Sequence, residues 1–561
     1  MASLGLVNPY VFGRIVGDVF YDGNIHELGR YLFIVIGITF SRMTVRYVFF
    51  IMLERTSQNI LFDLRKDIYN RVQEQNFSFF DTNRVGDIMS RMTGDLEAIR
   101  NMVSHVLHTA FDNLVIFVVA VIIMFSINWQ MTLLMLAVSP VIFISTFKQS
   151  REIKPAFMRI REQFATLNSV CQENISGNRV VKAFTQEEAE IAKFTKENQE
   201  FSNFNMNSVR IWVKYLPILE LCAGTLFFIL LLVGGIFVIN GRIELWQLVT
   251  LNGYLWAING PMRISGWLVN DTQRFVASLD KIYGMMRQKI YIKNPDKPVK
   301  KDKIAGKITF KDVSFYYDPN NDKTPVLNNV NFTIEPGQTA GIVGATGAGK
   351  TTLINLIGRF YDATEGEILV DNIDVRKYDL YSLRKNISAA MQDVFLFSDT
   401  VEGNVAYGVP EAEMDILINC AQISCADGFI KEMPEGYDTI IGERGVGLSG
   451  GQKQRISLAR ALAVAPSILI LDDTTSAVDM ETEHEIQIAL NKHYTDVTKI
   501  IIAHRISSVR NADVIFVLDN GKIIERGTHE ELINQKGEYY GLFVDQYGDF
   551  QKELEIIYGK K

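Results

Sequence analysis

From Leu221 to Asn240 the chain reads LCAGTLFFILLLVGGIFVIN, without one charged side chain. At ~1.5 Å per residue a helix over this run is ~30 Å long, the thickness of a bilayer's hydrocarbon core. One such run could be a buried helix of a soluble protein, but here it recurs. Leu114–Ile127 and Met131–Phe147 are two more, separated by the polar turn Asn128–Trp129–Gln130, whose Trp suits a membrane interface. Tyr31–Leu53 is a fourth and Trp246–Val269 a weaker fifth. Leu4–Phe20 is broken by Asn8, Pro9, Arg14 and Asp18, so only the end of a sixth, incomplete first span is expected there.

Between the spans, Glu54–Arg100 and Lys148–Arg210 are rich in Lys, Arg, Glu and Gln, with apolar residues at helical spacing. The turns at Asn128 and Asn240–Glu244 are minimal. Long charged extensions alternating with tiny turns place the extensions on one side, and their Lys and Arg make that side the cytoplasm. Arg42 and Arg46 fall inside the Tyr31–Leu53 stretch, where charge is costly. Two readings stand: a cavity wall or partner contact, and a simple shift of the span boundary. His105, His108, Asp112 and Asn113, near the next span, read as helix contacts or interfacial positions, or as cargo contacts.

Apolar residues make up 48% of the 561-residue chain, an average over two populations that meet near Pro295. The segment RQKIYIKNPDKPVKKDKIAG, residues 287–306, is Lys-rich with two prolines and reads as a linker. The net charge of −7 excludes a nucleic-acid binder driven by a basic surface. The four cysteines, Cys171, Cys222, Cys420 and Cys425, have no zinc spacing and read as small buried apolar side chains. The opening residues lack the basic start and unbroken apolar stretch of a cleavable signal peptide.

Behind the linker the chemistry concerns phosphate. Strand-like GIVG leads into ATGAGKTTLINLIGRF, and GxxxxGK[ST] is matched from Gly344 to Thr351. Glycines let backbone N–H groups turn inward around an anion, and the following helix aims its positive end at it. Lys350 can reach β- and γ-phosphates, and the Thr351 hydroxyl can ligate Mg2+. ILILDD, residues 468–473, reads as a buried parallel strand delivering Asp472 to that metal; an ordinary strand followed by a helix cap at Asp473 is the plainer reading. LSGGQ opens the helix KQRISLARAL, again offering N–H groups to an anion. His504, after the apolar strand ending in IIIAH, can touch a γ-phosphate.

GATGAGKTT, LSGGQ, ILILDD, SAVD and His504, in this order, resemble the ATP-binding cassette (ABC) family over about residues 308–547. FFDTNRVGDIMSRMTGD and ENISGNRVVKAFTQEE are similar to the intracellular loops of its exporter branch, so the resemblance covers nearly the whole chain. It implies an all-α polytopic membrane domain of six-helix type over 1–286, with its first span incomplete. A linker over 287–306, an α/β P-loop nucleotide-binding domain over 307–547 and a tail over 548–561 follow. ATP would be held by Tyr317, stacking on adenine, and by Gly344, Ala345, Thr346, Gly347, Ala348, Gly349, Lys350, Thr351, Thr352 and Gln392. Mg2+ would lie on Thr351, Gln392 and Asp472, with Asp473, His504 and Gln392 as the catalytic set. Leu448, Ser449, Gly450, Gly451 and Gln452 would serve a partner's ATP site, and Ser476, Ala477, Val478 and Asp479 would form the D-loop. Segments near Met92–Arg100 and Phe201–Arg210 resemble the helices that couple membrane and motor.

One position departs from the family pattern. The residue after the magnesium-binding Asp is usually a Glu that polarises water; here it is Asp473. Losing one methylene draws the carboxylate back by more than about an ångström, and since proton abstraction needs ~2.6–3.2 Å, hydrolysis is expected to slow sharply unless the backbone adjusts. A weakened acid beside an intact LSGGQ resembles the degenerate half of a heterodimeric exporter, with a homodimer as the alternative. The expected activity is ATP-driven export of a hydrophobic or amphipathic drug-like molecule, lipid or peptide across the cell membrane. The alternative is an ATP-holding regulatory subunit whose partner does the turnover.

Overall fold

The computed structural model describes residues 2–318 and 324–548. Residues 549–561 of the expected tail lie outside the described residues. The chain folds as two compact units, one of Met1–Gln73 with Arg84–Gln288 and another of Glu74–Asn83 with Lys289–Lys561.

The first unit is built from long helices, as alternating apolar and helix-periodic polar stretches require. Ile25–Gln73 and Glu187–Ile239 are single helices of 49 and 53 residues. At 1.5 Å per residue each is roughly 75 Å long, so each outruns a bilayer by about 40 Å of polar extension. Among the described residues four helical stretches are long and apolar enough to cross a membrane. The turn expected over Asn128–Gln130 is tighter than three residues. Asn128 alone is extended, and its side chain caps the next helix by accepting from Met131 N at 2.9 Å. The weaker fifth stretch forms two helices, Leu245–Gly253 and Leu255–Met286, and is not among the four. Tyr254, buried at their junction, donates its hydroxyl to the carbonyl of Leu6 at 2.6 Å. Helices Ala2–Gly5 and Val7–Arg14, then a π-helix over Ile15–Tyr21, cover the broken first stretch. Met124, Met131, Met135, Leu226, Leu230 and Leu251 fill this unit's interior, while Phe33, Phe40, Phe111 and Leu114 face outward. An apolar outside is the arrangement lipid favours.

The second unit is α/β. Its six-stranded sheet runs in the order Lys522–Gly527, Val514–Asp519, Thr339–Val343, Thr498–Ile502, Ile468–Asp472, Ile387–Ala390, parallel except at the first pair. Thr339–Val343 and Ile468–Asp472 are buried along their whole length, which is why ILIL reads as an unbroken apolar run. A four-stranded antiparallel sheet, with Ile308–Phe315 between Leu327–Ile334 and Glu365–Val370, closes the same core. The Lys-rich segment after Gln288 is fastened to this unit. Asn294 donates to Asp379 at 2.8 Å, and Asp371 accepts from the backbone N–H groups of Ala305, Gly306 and Lys307.

Candidate functional site

Four neighbouring parallel strands end on one side of the sheet, and each hands the chain to a residue singled out in the sequence. Thr339–Val343 leads to Gly344, Thr498–Ile502 to His504, Ile468–Asp472 to Asp473, and Ile387–Ala390 to Gln392. The carboxyl ends of parallel strands are where open α/β sheets gather ligands.

After Val343 the chain turns through Gly344, Ala345, Thr346, Gly347, Ala348 and Gly349 into the helix Lys350–Ile357, which carries Thr351 and Thr352. Gly344 sits at φ +154°, and a Cβ there would lie 2.0 Å from the carbonyl oxygen of Leu518, so any side chain is excluded. Lys350 is buried and donates to the carbonyls of Gly344 and Ala345 at 2.8 and 2.9 Å, which holds its ammonium on the loop. Burial lowers its pKa, and Asp472 and Asp473 oppose that shift. Thr351 Oγ1 lies 3.5 Å from Asp472 Oδ2. Burial and the adjacent Asp473 push the Asp472 carboxyl up, while Thr351, Lys350 and His504 draw it down. Tyr317 meets the same helix, its hydroxyl 2.9 Å from Thr352 Oγ1 and its ring edge-on to Phe315 and Tyr361. It remains half-exposed, a face that a flat ring can cover.

Leu448–Gln452 stands at the start of a separate helix, Gly450–Ala463. Ser449 caps the helix Gly450–Ala463 in a reciprocal box with Gln452. The plain cap needs only Ser; the second glycine has a separate cause. A Cβ on Gly451 would lie 2.7 Å from the carbonyl oxygen of Ala477, so this helix start packs directly on the Ser476–Asp479 turn. Asp479 in turn caps Met480–His493 by accepting from Thr482 N, a structural duty beside any role at an interface.

Sequence reasoning missed Gln454. Buried on the same helix, it donates to the carbonyl of Asp473 at 3.3 Å and to Ser476 Oγ at 3.0 Å, and accepts from Ala477 N at 3.0 Å. The N–H of Ala477 thus depends on this amide, which shares the carbonyl of Asp473 with Ser476. Each buried group left unpaired costs roughly 1–3 kcal/mol. Gln454→Leu leaves the Ala477 N–H unpaired and is therefore expected to lower the unfolding free energy by roughly 1–3 kcal/mol, with little change in ATP affinity. Thermal unfolding beside equilibrium ATP binding would check this, and an unchanged melting temperature would show that the turn does not need this amide.

The expected coupling segments need correction. Met92–Arg100 and Phe201–Arg210 both belong to the helical unit, and the latter lies inside the uninterrupted Glu187–Ile239 helix. The segment that groups with the nucleotide-binding unit is Glu74–Asn83. Its short helix Phe77–Thr82 stacks Phe77 on Phe360 with centroids 4.4 Å apart, and Tyr361 donates its hydroxyl to Asp81. Burial and Asp81 raise the pKa of that phenol, which keeps it a donor. The helix breaks because Asn76, Asn83 and Arg84 are extended, and the aromatic run NFSFF was the available signal. In the second extension the break falls at Gly177, before Asn178–Ala183.

A phosphate-binding loop, an acidic strand end and membrane-length helices on one polypeptide define a nucleotide-driven membrane transporter. Family comparison agrees. The family model described as ABC transporter transmembrane region matches residues 2–262, and that described as ABC transporter matches residues 327–476. The "Uncharacterized ABC transporter ATP-binding protein YknU" of Bacillus subtilis is 38% identical over 87% of this chain and 83% of its own. The "ATP-dependent lipid A-core flippase" of Syntrophus aciditrophicus is 36% identical over 96% of this chain and 89% of its own. A solved bacterial Atm1-family ABC exporter with ATP bound shares the fold, with a TM-score of 0.82 at 24% identity over 97% of this chain and 96% of that one. The chain belongs to the ABC transporter family, as a half-transporter of exporter type. It is a multi-pass membrane protein that binds ATP and couples its hydrolysis to transport.

Proposed function

We propose that this chain exports a hydrophobic or amphipathic cargo as one half of a heterodimer, and that its own ATP site turns over slowly. The observation carrying this reading is Asp473, one methylene short and fixed in its backbone. Its N–H donates to the carbonyl of Ile502 at 2.9 Å, and its carbonyl is held by Gln454 and Ser476. The main chain therefore has little freedom to carry the carboxylate forward.

In this reading Lys350 and the loop N–H groups bind the phosphates, Tyr317 covers the adenine and Leu448–Gln452 completes the partner's site. The hard oxygens of Thr351, Asp472 and Gln392 suit Mg2+, and the buried charge of Asp472 favours a cation there. Such an ion would neutralise charge on the β- and γ-phosphates. His504, its carbonyl held by Gln546 at 2.6 Å, would face the γ-phosphate.

The test is ATP turnover by the purified chain alone and after pairing with a half-transporter bearing Glu at the equivalent position. Slow turnover alone, raised on pairing, supports the heterodimer; brisk turnover alone refutes it. Phe77–Thr82 would relay nucleotide state to the spans. Phe77→Ala removes a ring stack of ~1 kcal/mol and is expected to lower cargo moved per ATP about fivefold, with ATP binding intact. Parallel transport and ATPase assays in proteoliposomes would read that ratio.

A further inference from the structure

The helix Glu538–Tyr547 docks on the nucleotide-binding unit through one face. Tyr539, Leu542 and Phe543, spaced three and four apart along the chain, pack into a core that includes Ala503, Ile506 and Val509. The start of the helix is fixed separately, because Glu525 accepts from the N–H groups of Glu538 and Tyr539 at 2.5 and 3.0 Å. The next position on that face, seven after Tyr539, would ordinarily be apolar as well. Here it is Gln546.

Its amide meets the backbone on both sides of Arg505. Gln546 Nε2 donates to the carbonyl of His504 at 2.6 Å, and Gln546 Oε1 accepts from the N–H of Ile506 at 2.9 Å. Ile506 opens the short helix Ile506–Val509, and no side chain of Arg505 caps that start. A helix leaves its first N–H groups without partners along the chain, so this one is met by a side chain forty residues further on. The other side of the loop is tied as well. Arg505 donates to the carbonyl of Ser476 at 3.1 Å, and Ser508 donates to the buried Glu483 on the helix Met480–His493. His504 therefore sits on a loop gripped from two directions, by the Ser476–Asp479 turn and by the C-terminal helix. Its imidazole is exposed, so the direction of its Cα–Cβ bond is set by this backbone and not by packing.

We propose that Gln546 is a positioning residue for ATP hydrolysis. By holding the His504 carbonyl and the Ile506 N–H together, it sets the direction from which His504 reaches the γ-phosphate. The helix Glu538–Tyr547 is thereby a working part of the nucleotide site, although it supplies neither the phosphate loop nor the acidic strand end. This deepens the reading above, in which His504 faces the γ-phosphate, and rests on it. Gln546 itself stands at the surface, so its truncation leaves the Tyr539, Leu542 and Phe543 packing in place.

The test compares adenylyl imidodiphosphate, which keeps an unhydrolysed γ-phosphate, with ADP on the full-length chain in nanodiscs with Mg2+. The readout is the ratio of the two dissociation constants, which a slow hydrolytic site does not disturb. Gln546→Ala is expected to lower the preference for the γ-phosphate about fivefold, the size of one neutral hydrogen bond, while ADP affinity stays within about twofold. Gln546→Glu keeps an oxygen for the Ile506 N–H but offers the His504 carbonyl no donor, and is expected to lose as much as alanine. In a His504→Ala background, Gln546→Ala should change the ratio no further, because the glutamine acts only through that imidazole.

An unchanged ratio in Gln546→Ala overturns the proposal. So does an equal loss of ADP and analogue affinity, which a purely structural role would give, and so do additive losses in the double variant. If Gln546→Ala melts below the assay temperature, Gln546→Glu carries the same prediction. His504→Ala alone separates the two readings. A ratio unmoved by it takes His504 away from the γ-phosphate, and this proposal with it; a fall there, with none in either Gln546 variant, refutes the role of the glutamine alone.

Discussion

Lys350→Ala is expected to abolish measurable ATP binding and turnover at this site. The ammonium is buried and held by two loop carbonyls, so it is already in place before a nucleotide arrives. Alanine would leave the negative phosphates in a buried loop without their direct counter-charge. Breaking a buried charge pair by removing one partner costs about 3–5 kcal/mol, which is roughly 10²–10⁴ in affinity or rate. Lys350→Arg should recover little, because the wider guanidinium does not fit a space defined by Gly344 and the carbonyls of the loop. The fold should survive, since the sheet and the Lys350–Ile357 helix are packed by Leu353, Ile354, Leu356 and Ile357 rather than by the lysine. Equilibrium binding of a fluorescent ATP analogue, with the melting temperature measured beside it, checks both halves. Near-normal ATP affinity in Lys350→Ala would move the nucleotide away from this loop.

What the sequence made legible was local. The phosphate loop, its helix and the Asp472–Asp473 pair are contiguous patterns whose chemistry follows from neighbours along the chain. Four apolar runs announced the spans because lipid demands length and absence of charge together. The parts that stayed hidden are contacts between distant positions. Gln454 serves a turn about twenty residues ahead of it, and nothing in KQRIS distinguishes that glutamine from a solvated one. Asp81 meets Tyr361 across 280 residues. The coupling segment was misplaced because Met92–Arg100 has strong helical periodicity, whereas the segment that joins the motor unit is a short aromatic break between two longer helices. Likewise the Lys-rich stretch after Gln288 has the composition of a loose linker, yet Asp371 and Asp379 hold it through backbone and amide groups that composition does not report.

Asp473→Glu is expected to accelerate ATP hydrolysis at this site by at least about tenfold, because a general base in reach contributes roughly 10²–10⁴. Two features of the site give the prediction its sign. The first is the pinned main chain: with N–H on Ile502 and carbonyl on Gln454 and Ser476, reach can come only from a longer side chain. The second acts against the substitution. Asp473 has φ +49°, a left-handed conformation that Asp accepts more readily than Glu. That preference is worth about 1 kcal/mol, roughly fivefold, and it falls on stability rather than on the barrier. The longer carboxylate should therefore win in rate while the melting temperature drops slightly. Asp473→Asn supplies the control: if Asp473 is already out of reach, removing its charge should change turnover by less than about threefold. Both variants should bind ATP as the parent does, since Lys350 and Thr351 are untouched. A Glu variant no faster than the parent, together with an Asn variant that loses most of the activity, would mean that Asp473 already serves as the base and that this half needs no better-equipped partner.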